Sequence, residues 1–225
     1  MLFVIGSPIG NLQDITIRAL DILRHVDLIA AEDTRRSSIL LNHFGFRKPL
    51  ISFHEHNEAH RTSELVNKMD GGTSVGLLTD AGMPAISDPG YRLIRASLDS
   101  GIKVEVVPGI SAVTTALVGS GLPTDRFFFG GFLPVKSGQR AQELQSALER
   151  LCTSIYFESP YRLIRSLEVI ETLDRERALC IARELTKHFE EYRRGTASEL
   201  LEQCKSRPPK GEITLVIRGL RKGQH

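Results

Sequence analysis

Short apolar runs alternate along the chain with apolar positions spaced three and four residues apart. Leu2-Phe3-Val4-Ile5 predicts a buried strand. Ile15, Ala19, Ile22, Leu23 and Val26 follow at helical spacing, with Asp14 as the expected N-cap. Leu28 to Ala31, Leu50 to Phe53, Val75 to Leu78 and Lys103 to Val106 predict four more strands. The last alternates polar and apolar, as a strand with one wet face would. Leu65, Val66 and Met69 mark one intervening helix, and Tyr91, Ile94 and Leu98 another. This rhythm predicts an α/β domain with a largely parallel sheet over about the first 110 residues.

A break follows at Gly119-Ser120-Gly121-Leu122-Pro123-Thr124, and the pattern then restarts. Phe127 to Phe129, Ser154 to Phe157, Ala178 to Ala182 and Ile213 to Ile217 read as strands. Leu144, Ala147, Leu148 and Leu151 form one helical stripe. Leu163, Ile164, Leu167 and Ile170 form a second, and Ala197, Leu200, Leu201 and Cys204 a third. The expected architecture is two α/β domains, residues 1–116 and 117–225, meeting at a cleft. No internal repeat or low-complexity tract interrupts them.

Composition narrows the function. Charged residues make up 25% of the chain and hydrophobic ones 41%, a balance that argues against disorder. Lys and Arg number 29 against 27 Asp and Glu, and a net charge of only +2 does not suggest general adhesion to nucleic acid or membrane; any such contact must come from local patches. Cys152, Cys180 and Cys204 are far apart and form no CxxC pair, which argues against a zinc site or a disulfide framework and for a reducing compartment. The apolar start is too short and too uncharged for a signal peptide, and no run of about 18 apolar residues exists to span a membrane. A cytoplasmic protein is expected.

Candidate chemistry lies in the loops that follow strands, where open α/β sheets bind ligands. Gly6-Ser7-Pro8-Ile9-Gly10-Asn11 is neither GxGxxG nor a phosphate loop, which counts against a dinucleotide or NTP site. Thr79 to Gly90 is twelve residues without a regular period, long for a mere connection. Val107-Pro108-Gly109-Ile110-Ser111-Ala112 and Phe157-Glu158-Ser159-Pro160 are two further strand exits. Glu32 and Asp33 end the second strand, and His54, Glu55 and His56 the third. His54 and His56 are half of a metal site at most, with no third ligand, so no metal is expected. Substrate contact and solvent-facing histidines beside an Asn57 cap both remain open.

These blocks together resemble the ribosomal RNA small subunit methyltransferase I family. The likeness runs through Gly6 to Thr16, Ala31 to Arg35, Ser52 to Asn57, Asp80 to Pro84 with Ser87 to Gly90, and Val107 to Ala112. It continues through Gly130 to Pro134, Glu158 to Arg162, Ala182 to Lys187 and Lys210 to Val216. Ser7 and Met83 stand where the family usually has Thr. The resemblance implies the tetrapyrrole-methylase fold with the cofactor cleft between the two domains. It implies use of S-adenosyl-L-methionine to methylate the ribose 2′-hydroxyl of a cytidine in the decoding region of 16S ribosomal RNA. The substrate is expected within the small ribosomal subunit, and the enzyme as a homodimer. Longer members extend further at the C-terminus, and RNA contacts made by that extension are expected to be absent or replaced here.

The resemblance also implies cofactor contacts at Pro8, Ala81, Gly82, Met83, Ile86, Ser111, Ala112, Phe157 and Leu185, with Ile213 a weaker choice. For a base to activate the hydroxyl, residue type and loop position offer Asp33, His54, Glu55, Asp80 and Glu158, with Asp33 and His54 placed first. Phosphate contacts are expected from Arg35, Arg36, Arg61, Lys136, Lys187 and Arg193, and also from Arg140 and Arg194; solvated surface charge is the alternative for each. Two other functions compete. One is a methylase of a tetrapyrrole, against which the Ala31 to Arg35 and Ser52 to Asn57 blocks speak. The other is an RNA-binding assembly factor without turnover, against which the intact loops speak.

Overall fold

The computed structural model describes residues 1–220 and separates into two compact units, Met1–Ser111 and Ala112–His225. The first unit is built on five strands: β1 (Leu2–Ile5), β2 (Leu28–Ala31), β3 (Leu50–Ser52), β4 (Val75–Leu78) and β5 (Val104–Val107). All pairings are parallel, in the order β3-β2-β4-β1-β5. A parallel sheet covered on both faces needs strands apolar on both sides, which is why β1, β2 and β4 are uninterrupted apolar runs. Strand β5 lies at an edge, and its Val106 is 54% exposed.

Helices α1 (Ile17–His25), α2 (Thr34–His43), α3 (Glu58–Asp70) and α4 (Tyr91–Asp99) connect the strands. The cap of α1 is Thr16, not Asp14: the Thr16 side chain accepts the amide of Ala19, while Asp14 closes a short 3-10 turn. The stripe expected on α4 is rotated. Leu93 and Ser97 are buried, whereas Tyr91 is 70% and Leu98 54% exposed. Arg92, Arg95 and Asp99 mark the solvent side, and the face opposite them centres on Leu93, Ile94 and Ser97, with Tyr91 and Leu98 at its flank.

The second unit holds β6 (Phe127–Phe132), β7 (Thr153–Glu158), β8 (Ala178–Arg183), β9 (Glu191–Thr196) and β10 (Ile213–Ile217), in the order β6-β7-β10-β8-β9. Only β6 and β7 are parallel. Helices α5 (Ala112–Ser120), α6 (Ser137–Glu149), α7 (Pro160–Leu173) and α8 (Ala197–Ser206) accompany it. The units join at Ser111 and Ala112, ahead of the expected boundary at 116/117, because α5 packs as one rod on β8 and β10. Strand β9 was not expected. Its Glu-Tyr-Arg-Arg-Gly-Thr sequence carries an edge strand's charges rather than a core strand's apolar residues. Leu151, expected in the α6 stripe, lies beyond the helix and is 68% exposed. The α8 stripe is buried throughout, behind a Thr196–Glu199 capping box. Among the described residues no helix is long and apolar enough to cross a membrane.

Candidate active site

The carboxyl ends of the first sheet bring the first loop and the long fourth-strand loop together. Ser7 and Gly82 exchange backbone hydrogen bonds of 2.9 and 3.1 Å, and Ser7 Oγ donates to the carbonyl of Thr79 at 3.0 Å. A hydroxyl at position 7 therefore ties the loop base to β4, and serine serves where the family usually has threonine. The long loop is held in an unusual shape. Gly82, Ala85, Ser87 and Gly90 all have positive φ, from 63° to 137°. Its far end is anchored by buried Glu58, whose Oε1 accepts the amides of Gly90 at 3.1 Å and Arg92 at 3.2 Å. Within the described residues the amides of Ala81 and Met83 donate to nothing, and Thr79 Oγ1 is buried without a partner. A loop with open donors, fixed at both ends, suits a small polar ligand.

Pro8 is buried and Ile86 is 49% exposed, so Ile86 is not a core residue. Ser111 and Ala112 are half-buried at the end of the strand-five loop. Gly6 and Gly109 bring the first and fifth loops into backbone contact. A Cβ on Gly6 would meet Gly109 Cα and Met83 Sδ at 2.7 Å, and one on Gly109 would meet Gly6 Cα at 2.9 Å.

Four carboxylates stand close by. Asp33 caps α2, accepting the amide of Arg35 at 2.9 Å, and is gripped by the Arg35 guanidinium at 3.0 and 2.7 Å. Those bonds hold its pKa well below the usual carboxylate range. Asp80 accepts the amide of Asp33 at 3.1 Å and faces Arg36 at 3.4 Å, while Glu32 accepts the amide of Asp80 at 3.1 Å. Asp88 differs: among the described residues it makes no hydrogen bond or ion pair. Burial first, then repulsion from Glu32 and Asp80, pushes its pKa up to about 7. Sequence reasoning missed Asp88 as a base: Asp80 lies in its own loop, but Glu32 comes from the end of β2, far away in the chain.

His54 is held by its neighbour. Asn57 Oδ1 accepts the His54 amide at 2.8 Å and Asn57 Nδ2 donates to the Ser52 carbonyl at 3.2 Å, which fixes the amide's orientation. Nδ2 then also donates to His54 Nε2 at 3.2 Å. Nε2 is thereby occupied, and Nδ1 is buried without a partner among the described residues. Both residues placed first as bases are thus structurally engaged. So is Glu158, which accepts from Ser159, Arg162 and Ser166 at 2.6–3.0 Å.

In the second unit, Phe157 is half-buried with its ring 5.0 Å from Phe129 and 5.3 Å from Phe132, and Leu185 is 6% exposed. The expected phosphate contacts divide. Arg35 and Arg36 have exposed side chains, and Lys136 is exposed without an ion pair among the described residues. Arg61 pairs with Glu64. Lys187 bridges Glu184 at 3.1 Å and Glu212 at 2.8 Å. Arg140 is 4% exposed and donates to the carbonyls of Pro134 and Val135, and Arg194 donates to the Gly119 carbonyl. Arg193 departs furthest from expectation. Its side chain is 10% exposed, forked on Glu191 at 3.0 and 3.2 Å and bonded to the Arg207 carbonyl at 3.2 Å. It holds β9 to the end of α8. We expect Arg193→Ala to lower unfolding stability by roughly 2 kcal/mol, the scale of lost charged hydrogen bonds. Urea denaturation checks this; an unchanged midpoint would remove the structural role.

Comparison with known proteins bears on the family and the fold. Residues 1–201 match the family model of tetrapyrrole (corrin/porphyrin) methylases. The chain is 48% identical to a Ribosomal RNA small subunit methyltransferase I of Mesorhizobium japonicum, over 96% of this chain and 74% of that protein. It is 46% identical to the protein of that name from Thermotoga maritima, over 97% of this chain and 98% of the other. Among solved structures it resembles a uroporphyrin-III-C-methyltransferase from Thermus thermophilus, with a TM-score of 0.65 at 20% identity, covering 96% of this chain and 93% of that one. It also resembles a diphthine synthase, with a TM-score of 0.69 at 15% identity, covering 96% and 89%. At such identities the structural likeness speaks for the fold alone.

Proposed function

This chain belongs to the ribosomal RNA small subunit methyltransferase I family of tetrapyrrole methylases, and on that premise we propose its reaction: methylation of the ribose 2′-hydroxyl of one cytidine in the decoding region of 16S ribosomal RNA, with S-adenosylmethionine as methyl donor. The observation that supports it most is the likeness to relatives of that name over almost the whole chain at 46–48% identity. The substrate is the assembled small subunit, since one site among many similar cytidines must be read by shape as well as by base. A homodimer acts on it in this reading.

The residues of the first unit fit the donor. The open amides of Ala81 and Met83 suit its polar groups, Ile86 offers apolar surface, and Pro8 is proposed to pack beneath it. A Cβ at Gly82 would lie 3.5 Å from Ile9 Cγ2 and 3.9 Å from the Ile110 carbonyl, filling space that the backbone leaves between loops. When bound, S-adenosylmethionine supplies a methyl group activated by a sulfonium. The chain's own tasks are to hold the hydroxyl in line, an effect worth roughly 7–11 kcal/mol in favourable cases, and to accept its proton. Asp88 is the proposed proton acceptor, taking the 2′-hydroxyl proton on a carboxylate oxygen. Arg35, Arg36 and Lys136 are proposed to meet phosphates.

Purified protein with labelled donor is expected to methylate small subunits from a strain lacking this modification. The label is expected to survive alkaline hydrolysis within a dinucleotide, because a 2′-O-methyl blocks cleavage of the adjacent phosphodiester. Label on a base, or equal labelling of a porphyrinogen, would overturn the reading. Donor binding without any transfer would favour the assembly factor.

A further inference from the structure

One end of the second sheet collects exposed aromatic side chains beside cations, among them Lys136, already proposed to meet a phosphate. Phe132 pairs with Phe157, and Ile213 pairs with both Glu158 and Arg183. The exits of β6, β7 and β8 and the entry to β10 therefore lie together. Three aromatic side chains at this end are left uncovered: Phe132, closing β6, is 61% exposed; Tyr161, opening α7, is 92% exposed; Phe189, between β8 and β9, is 67% exposed. The exposure of Phe132 has a local cause. The register of β6 shifts between Phe129 and Phe132, where Gly131 has φ +68°, and such a bulge re-aims the side chain that follows.

Cations stand beside the rings. Lys136 follows β6, Arg165 lies one helical turn beyond Tyr161 on the same face of α7, and Lys210 precedes β10. All three are exposed, and their side chains make no ion pair with any described residue. The carboxylates at this end are largely occupied. Glu184 and Glu212 hold Lys187, Glu191 holds Arg183 and Arg193, and Glu190 accepts the Thr186 amide. What remains is aromatic surface interleaved with unpaired positive charge. The core of a protein interface is depleted in lysine, so this composition does not suit a second copy or another protein. A-form duplex RNA hides its base faces, whereas single strands offer them for stacking.

We propose that this end of the second unit is a docking surface for single-stranded RNA, with Phe132, Tyr161 and Phe189 stacking on unpaired bases and Lys136, Arg165 and Lys210 meeting the adjoining phosphates. The inference rests on the ribosomal RNA reading above and deepens it: a single-stranded segment flanking the target would be held here. From β6 to β8 is three strand spacings, roughly 14 Å, a width that a few nucleotides span.

The test uses the full chain and a short fluorescein-labelled oligocytidylate, followed by anisotropy. Tyr161→Ala is expected to weaken binding about tenfold, and Tyr161→Phe to restore it, since stacking needs the ring and not the hydroxyl. Lys136→Ala with Lys210→Ala is expected to reduce the slope of log affinity against log salt by about 1.4, from two lost phosphate contacts. A duplex of the same length is expected to bind far more weakly. Because these side chains are exposed, thermal melts should not move. Unchanged affinity in Tyr161→Ala, or duplex binding as tight as single-strand binding, would overturn the proposal. So would ring variants that split a dimer in sedimentation while binding the oligonucleotide normally. Methylation of small subunits separates the two claims. Transfer that proceeds with an unaltered KM in Tyr161→Ala, beside unaltered oligonucleotide affinity, removes the surface and keeps the function. Ring-dependent binding without any transfer by the unmodified protein removes the function and keeps the surface.

Discussion

Asp88→Asn is expected to lower the single-turnover rate of methyl transfer by about 10²–10⁴-fold, the usual worth of a positioned general base. Asp33 is capped and gripped by Arg35, His54 has its Nε2 against Asn57, and Glu158 is saturated with donors. Asp88 has no donor among the described residues, and its pKa is pushed up to about 7 by burial and by Glu32 and Asp80. The unmodified enzyme's rate should therefore climb with pH through about 7 with unit slope, as the carboxylate forms, and the asparagine variant should be flat. Stability supplies a readout independent of turnover. The folded pKa lies above the unfolded value of 3.8, so the native state binds the extra proton between about 4 and 7. Stability thus falls as pH rises through that window, by on the order of 1–2 kcal/mol once solvent screening is allowed for. Asp88→Asn should recover that amount at pH 8 and nothing below pH 4, in urea denaturation at both. A variant that kept both the rate and the pH profile would exclude Asp88 as the base.

Gly82→Val is expected to weaken S-adenosylmethionine binding at least a hundredfold while the protein remains folded. Gly82 sits at φ +76°, where a residue with a Cβ is strained by roughly 1–2 kcal/mol and a β-branched one by more. That is less than the 5–15 kcal/mol holding a typical domain together. The strain would instead be relieved by turning the loop, which breaks the Ser7–Gly82 pairing and moves the Ala81 and Met83 amides. Gly82→Ala should fall between. Calorimetric titration beside a thermal melt checks both, and an unchanged affinity for the valine variant would move the donor out of this loop.

The first sheet was legible in the sequence because parallel strands buried on both faces must be apolar without interruption, as β1, β2 and β4 are. Strand β9 was illegible for the opposite reason: an edge strand needs charges, and Glu191 to Thr196 reads as a loop. The buried face of α4 was misjudged because its centre includes Ser97, which does not read as core, while Tyr91 and Leu98 lie at its flank. The loops that gather at the ends of the first sheet were readable from glycine, proline and strand exits. Protonation roles were not. Whether an aspartate is a cap, a pair or a base depends on what faces it, and of the two carboxylates facing Asp88, Glu32 is far from it in the chain. Arg193 illustrates the same limit: an arginine beside a loop reads as a phosphate contact until Glu191 and the end of α8 are seen to enclose it.

The contact of Gly6 with Gly109 has a consequence for how this chain can change over time. Each glycine leaves room for the other's backbone, at 2.7–2.9 Å from where a side chain would begin. Neither position can accept even alanine while its partner's backbone stays in place, and shortening the partner is impossible because it already has no side chain. No second-site substitution at the pair can therefore compensate the first. The two loops are locked as one heritable unit. A chimera that took its opening residues from one homologue and its fifth strand from another would fold here only if both parents kept the same crossing.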